Sequence, residues 1–264
     1  MGSSIITLTT DFGLTDHYVG VMKGVIASID PTVRTVDISH GVRPHCVPEG
    51  AFRVAQAYRF FPPGSVHLVV VDPGVGSSRR AIAALAAGQY FVAPDNGVLS
   101  QVFEREPTVV REIDVGRYGR QPVSRTFHGR DIFAPVSARL SSGTPFEQIG
   151  WLIHDALLLP ATAPVEIEPG HWRGQVLNID RFGNVVTSFE HGLLAGRTEG
   201  FCLAVGKVEA RKLAESYARS LGEEPFLIEG SSGYLEVSIN RHSAAARAGV
   251  KIGSPAEFWE SKQS

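Results

Sequence analysis

The sequence predicts an α/β domain with a mostly parallel central sheet, followed by a smaller antiparallel β-barrel domain. Three observations carry this expectation. Up to Trp151, short β-branched runs alternate with amphipathic stretches of helical period, the pattern of strands crossed over by helices. From Leu157 to Gly170 the stretch LLLPATAPVEIEPG has three prolines and no clear period, which suits a linker. Beyond it short strand-like runs recur, several separated by glycine-bearing turns. The expected domains are therefore 1–158 and 171–264, with 159–170 between them.

Taken in order, residues 5–10 (IITLTT) read as a first strand, closed by Asp11 and Gly13. Val19, Met22, Ile26 and Ile29 then recur at three- and four-residue spacing, one apolar face of a helix that Asp30 and Pro31 stop. A second strand is expected at 33–38, a helix at 48–60 and a central buried strand at 66–71. Short strands at 81–85 and 90–93, a helix at 97–103 and a strand at 109–113 follow. Ile132, Phe133, Val136 and Leu140 mark the last helix of the domain. In the second domain, strands are expected at 174–179, 185–189, 201–205, 226–228 and 234–239.

Bulk properties narrow the function. A formal net charge of -2 and a pI near 6.5 lack the basic excess of a nucleic-acid or anionic-membrane footprint, so small neutral or zwitterionic partners fit better. The two cysteines, Cys46 and Cys202, form no CxxC, which argues against a disulfide scaffold or a cysteine zinc site and is compatible with a reducing cytoplasm. No apolar run approaches the roughly 18 residues of a membrane span. The amino terminus has no basic leader, and a cytoplasmic, unprocessed protein is expected.

The stretch VVVDPGVGSSRR ends the central strand at Asp72, and a Pro73/Gly74/Gly76 turn leads on to Arg79 and Arg80. An unpaired strand-end carboxylate costs stability unless Arg79 or a ligand compensates it, so a salt bridge and a reactive pair are both open readings. A Walker lysine is missing, which weakens a phosphate cradle. His128, in FHGRDIF, lies on a turn entering a helix, where Arg130 and Asp131 serve either chemistry or loop anchoring. Asp11 and Asp16, in TTDFGLTDH, stand between strand and helix, where a carboxylate either accepts two hydrogen bonds from a vicinal diol or caps the helix. His40, His45 and Cys46 share a loop, but without ligands at helical spacing they do not make a metal site. In IDRFGNVVTSF, Phe182 offers a stacking face and Asn184 an amide suited to adenine's edge, with Asp180 before them; an ordinary hairpin with Asn184 left-handed beside Gly183 is the plainer alternative.

The order TTDFG, FPPGSVHLVVVDPGVG, APDNGVLS, FHGRDIFAP, IDRFGNVVT and SSGYLEVSIN runs across nearly the whole chain. Together these motifs resemble the S-adenosylmethionine hydroxide adenosyltransferases, relatives of the fluorinase and chlorinase enzymes. The resemblance implies an amino-terminal α/β domain, a carboxy-terminal β-barrel, a homotrimer, and S-adenosylmethionine bound where one subunit's first domain meets the next subunit's second domain. It also implies that Asp72, Arg79 and His128 activate water, that Asp11 holds the ribose hydroxyls, and that Asp16 and Ser231 contact the methionine end. Phe182 and Asn184 match the adenine stacking and hydrogen-bonding pair, Asp180 opens that motif, backbone near Ile239 and Arg241 reads the adenine edge, and Tyr217 is a looser match as a further wall. The halogenating relatives carry a tyrosine at the place of Asp72 and small hydroxyl residues at those of Val75 and Gly129, so this sequence agrees with the water-using branch. The expected reaction needs no cofactor and gives adenosine and L-methionine. A chlorinase-like halide transfer and a non-catalytic adenosine-binding protein are the competing expectations.

Overall fold

The computed structural model describes residues 5–194, 196, 198–220 and 222–260. They belong to two compact units, Met1–Leu159 and Pro160–Ser264.

In the first unit, strands β1 (Ile5–Thr10), β2 (Arg34–Ser39), β3 (Val66–Val70), β4 (Ala81–Ala86), β5 (Gln89–Pro94), β6 (Thr108–Ile113) and β7 (Gly150–Ile153) form one sheet of order β2-β1-β3-β5-β4-β6-β7. Four neighbouring strands, β2, β1, β3 and β5, run parallel, β4 reverses, β6 restores their direction and β7 reverses again. Five of the seven strands thus share one direction, as expected from the alternation of strands and helices. The reversal at β4 has a local cause. Ala87 (φ 51°) and Gly88 (φ 70°) make a two-residue hairpin turn, which matches strand twist and leaves no length for a crossover helix.

Helices α1 (Tyr18–Ile29), α2 (Val47–Ala57), α3 (Ser100–Phe103), α4 (Val115–Tyr118) and α5 (Ala134–Ser141) lie between the strands. Both faces of the sheet are covered, so β3 is wholly buried and its side chains alternate between two cores. Leu68 and Val70 join Met22 and Ile26 of α1 and Val136 and Leu140 of α5. Val69 and Val71 join Val54 of α2 and Val102 of α3 on the other side. Two helices are shorter than their patterns suggest. The helix expected over 48–60 gives way after Ala57 to a 3-10 turn, Tyr58–Phe60, and that expected over 97–103 forms only from Ser100, because Gly97 sits at φ 88°. Among the described residues, no helix is long and apolar enough to cross a membrane.

The second unit contains β8 (Val165–Glu168), β9 (His171–Ile179), β10 (Val185–Glu190), β11 (Phe201–Val205), β12 (Val208–Ala210), β13 (Phe226–Glu229), β14 (Tyr234–Ser238) and β15 (Pro255–Glu260), with helix α6 (Ala244–Ala248). All pairings between these strands are antiparallel, in the order β12-β11-β15-β9-β10-β14-β13 with β8 beside β9. The sheet curls into a nearly closed barrel. Just after the edge strand β12, Leu213 bridges to Leu227 in the other edge strand, and two backbone bonds of 2.8 Å, Ala214 to Leu227 and Leu227 to Lys212, knit the gap. Val176, Phe189, Leu203, Leu235, Val237 and Phe258 fill the interior. Strand β8 falls within the proline-bearing stretch expected as a linker, so that segment carries regular structure of its own.

Candidate active site

Parallel pairing decides where the first unit keeps its chemistry. Thr10 at the end of β1 is in register with Val70 at the end of β3, so Asp11 and Asp72 leave the sheet at the carboxyl edge of neighbouring strands. The loop after β3 then turns back on itself. Gly76 stands at φ 78°, and a Cβ there would lie 2.3 Å from the Arg125 carbonyl oxygen, so only glycine lets this loop press against the backbone that leads to His128. The second loop is fixed from within: Asp131 accepts a 2.9 Å bond from the Ser124 amide and pairs with Arg130. Arg130 and Asp131 are thus the anchors of the His128 loop. His128 precedes a π-helical turn, Gly129–Phe133, that runs into α5.

Asp72, Arg79 and His128 meet. Arg79 Nε donates to Asp72 Oδ1 at 2.9 Å, Arg79 Nη2 donates to Asp72 Oδ2, and the same Nη2 stands 2.7 Å from His128 Nδ1. The Asp72 and Arg79 side chains are only 5% and 9% exposed, a degree of burial at which the pairing matters. The Arg79 guanidinium carbon also lies 5.2 Å from the ring centroid of buried Phe133, a cation–π contact that further restricts it. A guanidinium can only donate, so His128 Nδ1 presents its lone pair and the neutral ring carries its hydrogen on Nε2. Burial, and next the Arg79 charge, hold the His128 pKa below the usual imidazole value, which favours that neutral form. The Asp72–Arg79 salt bridge allowed by the spacing is therefore real, and it is also the link to the histidine.

The other residues singled out in the first unit divide. Asp11 accepts a 2.8 Å bond at Oδ2 from the backbone N–H of His45, which is held at φ 65°. Rather than capping α1, Asp11 is thus held against the 40–46 loop, with a second oxygen available to accept hydrogen bonds. Asp16 is exposed on the bend before α1. Rings of Phe12 and Tyr18 contact Phe127 at centroid distances of 6.1 and 5.1 Å, tying the Asp11 loop to the His128 loop. Arg80, which the spacing alone leaves as a neighbour of Arg79, points to a separate pair of acids and donates to Asp95 Oδ2 at 2.9 Å and to Asp155 Oδ1 at 2.7 Å.

In the second unit, six sequence-selected residues line one cavity of about 440 Å³: Asp180, Phe182, Asn184, Tyr217, Ile239 and Arg241. Its rim is built by an Asx turn. Asp180 Oδ1 accepts from the backbone amides of Phe182 (2.8 Å) and Asn184 (2.9 Å), and Oδ2 accepts from Asn184 Nδ2 at 2.7 Å. That last bond fixes the amide of Asn184, leaving its oxygen as an acceptor and a second N–H as a donor. The left-handed residue of this turn is Gly183 (φ 86°), not Asn184, and since a Cβ at 183 would stand 2.1 Å from Ser243 Oγ the position requires glycine. Phe182 is 78% exposed, an unusual position for a phenyl ring and one suited to stacking. Arg241 adopts φ 57°, strained for a non-glycine residue, in the tight turn that closes the cavity between Ile239 and His242. Ser231 does not line this cavity; it is exposed on the turn between β13 and β14.

Sequence reasoning missed Phe133, His45 and the rim residues Asn240 and His242. A phenylalanine in an amphipathic helix reads as core, and His45 acts through its backbone, so neither left a usable signal.

An acid–guanidinium–imidazole cluster at the carboxyl edge of an α/β sheet, with an aromatic and amide-lined cavity on a barrel, defines a two-domain protein of the α/β-plus-barrel class. Comparison with known proteins then supplies the lineage. Residues 6–150 match the SAM hydroxide adenosyltransferase N-terminal domain and residues 174–257 the C-terminal domain, and the chain belongs to this family. It is 38% identical over 259 residues to the (R)-S-adenosyl-L-methionine hydrolase of Thermus thermophilus, covering 93% of this chain and 96% of that one. A fluorinase of Actinopolyspora mzabensis is 31% identical over 287 residues, covering 94% and 95%. The crystal structure of an uncharacterized conserved protein from Thermotoga maritima superposes with a TM-score of 0.89 at 38% identity, covering 97% of this chain and 100% of that one.

Proposed function

We propose that this chain is an enzyme that hydrolyses S-adenosyl-L-methionine to adenosine and L-methionine, water attacking the ribose C5′ as the sulfonium departs. The observation that carries this reading is the single guanidinium of Arg79 bonded at once to Asp72 and His128.

The leaving group is already good, because a sulfonium departs as a neutral thioether. The nucleophile is the difficulty, since bulk water has a pKa of about 15.7 and ionised water is scarce at neutral pH. Arg79 supplies the positive charge that favours an oxygen anion beside it. His128, with its hydrogen on Nε2, donates a hydrogen bond to the attacking oxygen and orients it. Each Asp72 oxygen keeps a second lone pair after bonding Arg79, so Asp72 accepts the water proton. The new bond forms from oxygen to C5′, the C5′–S bond breaks, and its electron pair stays on methionine sulfur. An anion meeting a cation cancels charge in the transition state, so a dry site helps this step. The reaction takes no cofactor.

On this reading Asp11 accepts from the ribose hydroxyls, and Asp16 and Ser231 serve the methionine end. Phe182 stacks on adenine, Asn184 pairs with its edge, Asp180 holds Asn184 in place, Tyr217 adds a wall, and the backbone near Ile239 and Arg241 completes the pocket. A buried carboxylate at the nucleophile's position repels halide yet accepts a hydrogen bond from water, which favours hydrolysis over the halide chemistry named for the fluorinase relative. We place the protein in the cytoplasm as a homotrimer, built from an α/β domain, 1–158, and a barrel domain, 171–264; sedimentation at a trimer mass tests the assembly, and a monomer refutes it. For the activity, purified protein is incubated with S-adenosylmethionine, with and without chloride. Equal amounts of adenosine and methionine are expected in both, and a 5′-chloro nucleoside, or intact substrate after hours, contradicts the proposal.

A further inference from the structure

Among the buried acids that the mechanism above leaves unused, one bonds a residue of the base pocket. Glu236 sits in the middle of β14, where Leu235 and Val237 point into the barrel core, so alternation turns Glu236 to the outer face. Val185 pairs with Val237, which puts Asn184 and Val186 on that same outer face. Glu236 is nonetheless only 8% exposed. Its space is made by Gly230, where a Cβ would stand 1.9 Å from Glu236 Oε1. Burial, and Asp180 nearby, raise its pKa above the usual carboxylate value, so it is held at a cost that a structural role in the core would not require.

The partner of Glu236 is Tyr217, whose hydroxyl donates to Glu236 Oε2 at 3.0 Å. Tyr217 lies on a short 3-10 turn, Tyr217–Arg219, and its ring lines the cavity that holds Phe182 and Asn184. The far end of the same turn is tied as well, Asn240 Nδ2 donating to the Ser220 carbonyl at 2.8 Å. The turn is therefore pinned to the barrel at two points, one through Tyr217 and one through the cavity's own rim.

We propose that Glu236 is a positioning residue of the base pocket: by holding the Tyr217 hydroxyl it fixes the Tyr217 ring as a wall of the cavity and so preorganises the site for a planar heteroaromatic base. This rests on the nucleoside reading of the pocket and deepens it, since Glu236 acts through Tyr217 and does not touch the ligand. Preorganised walls strengthen binding by removing the ordering cost that a loose side chain would impose on the ligand. The sequence carried a signal for it, a lone acid in the apolar alternation YLEVSI.

The test is adenosine affinity by calorimetry on the full chain, with KM and kcat for S-adenosylmethionine. Tyr217→Phe, which keeps the ring and loses the hydroxyl, is expected to weaken adenosine binding about tenfold and to raise KM more than it lowers kcat. Glu236→Ala should do the same and Glu236→Gln, which still accepts the hydroxyl, should recover most of the affinity. Because both residues act through one hydrogen bond, the Tyr217→Phe/Glu236→Ala double variant should lose no more than either single change. Unchanged affinity in Tyr217→Phe, or losses that add in the double variant, overturns the positioning role while wild-type binding stands. Absence of adenosine binding by the wild type overturns the nucleoside reading itself.

Discussion

Replacing Arg79 with lysine separates the geometry of the cluster from its charge. Arg79 makes two bonds to Asp72 and one to His128 Nδ1, from a planar fork. An ammonium keeps the positive charge but has no fork, so it preserves about one of these bonds and gives up the contact with His128. Hydrogen bonds to charged groups are worth about 1.5–3 kcal/mol each. Two lost bonds therefore raise the barrier by roughly 3–6 kcal/mol if they act on the attacking oxygen, which is about two to four orders of magnitude in kcat at 1.36 kcal/mol per decade. Affinity for adenosine should change little, because the base pocket belongs to other residues. The assay is adenosine release followed by chromatography, with kcat and KM resolved separately and folding checked by urea denaturation. A folded Arg79→Lys enzyme with wild-type kcat would refute the view that the fork, rather than a local positive charge, prepares the nucleophile.

Three further outcomes follow from the same structure. Because burial and Arg79 hold His128 below the ordinary imidazole value, the neutral form persists as pH drops through 6.5, and kcat should fall only in more acid solution; a kcat profile with its acid limb at or above 6.5 contradicts the assignment. Buried His67 lies between Thr7 Oγ1 (2.8 Å) and Gln89 Oε1 (2.7 Å), and burial lowers its pKa from 6.5 to about 4. The unfolded chain takes up that proton first, so the contribution of His67 is complete above pH 6.5 and falls away towards pH 4, about 3 kcal/mol in all; urea midpoints in wild type and His67→Gln that decline in parallel with acid would exclude it. Gly183→Ala forces φ 86° on alanine and drives its Cβ into Ser243, so KM should rise several-fold and stability drop by about 1–3 kcal/mol, whereas an unaltered melting curve would remove the Asx turn as the pocket's support.

How much of this was legible without coordinates depends on the kind of signal. Buried strands and amphipathic helices of the first unit announce themselves through period, and β3 stands out because burial on both faces leaves only apolar residues and a histidine to be satisfied internally. Strands β7 and β15 and helix α6 left weaker marks: GWLI is four residues long, PAEFWE opens on proline and carries two acids, and AAARA has no period. Site residues at strand ends and turns, such as Asp72 and Asp180, are visible because turn chemistry is local. What joins them is not local. That Gly76 lets one loop press on the backbone of another, or that Arg79 spans both Asp72 and His128, depends on residues 49 positions apart meeting in space. Ser231 shows the limit in the other direction, since a serine in a turn motif carries no mark of which cavity it serves.

The claim on which the rest depends is that a water oxygen forms the new bond to C5′. Incubating the enzyme with S-adenosylmethionine in ¹⁸O-labelled water and recording the mass of the adenosine formed measures this directly. The account predicts one labelled oxygen, located in the 5′ hydroxyl and lost together with activity in Asp72→Asn. Unlabelled adenosine, or label recovered only in methionine or at an adenosine oxygen other than the 5′ hydroxyl, would contradict it.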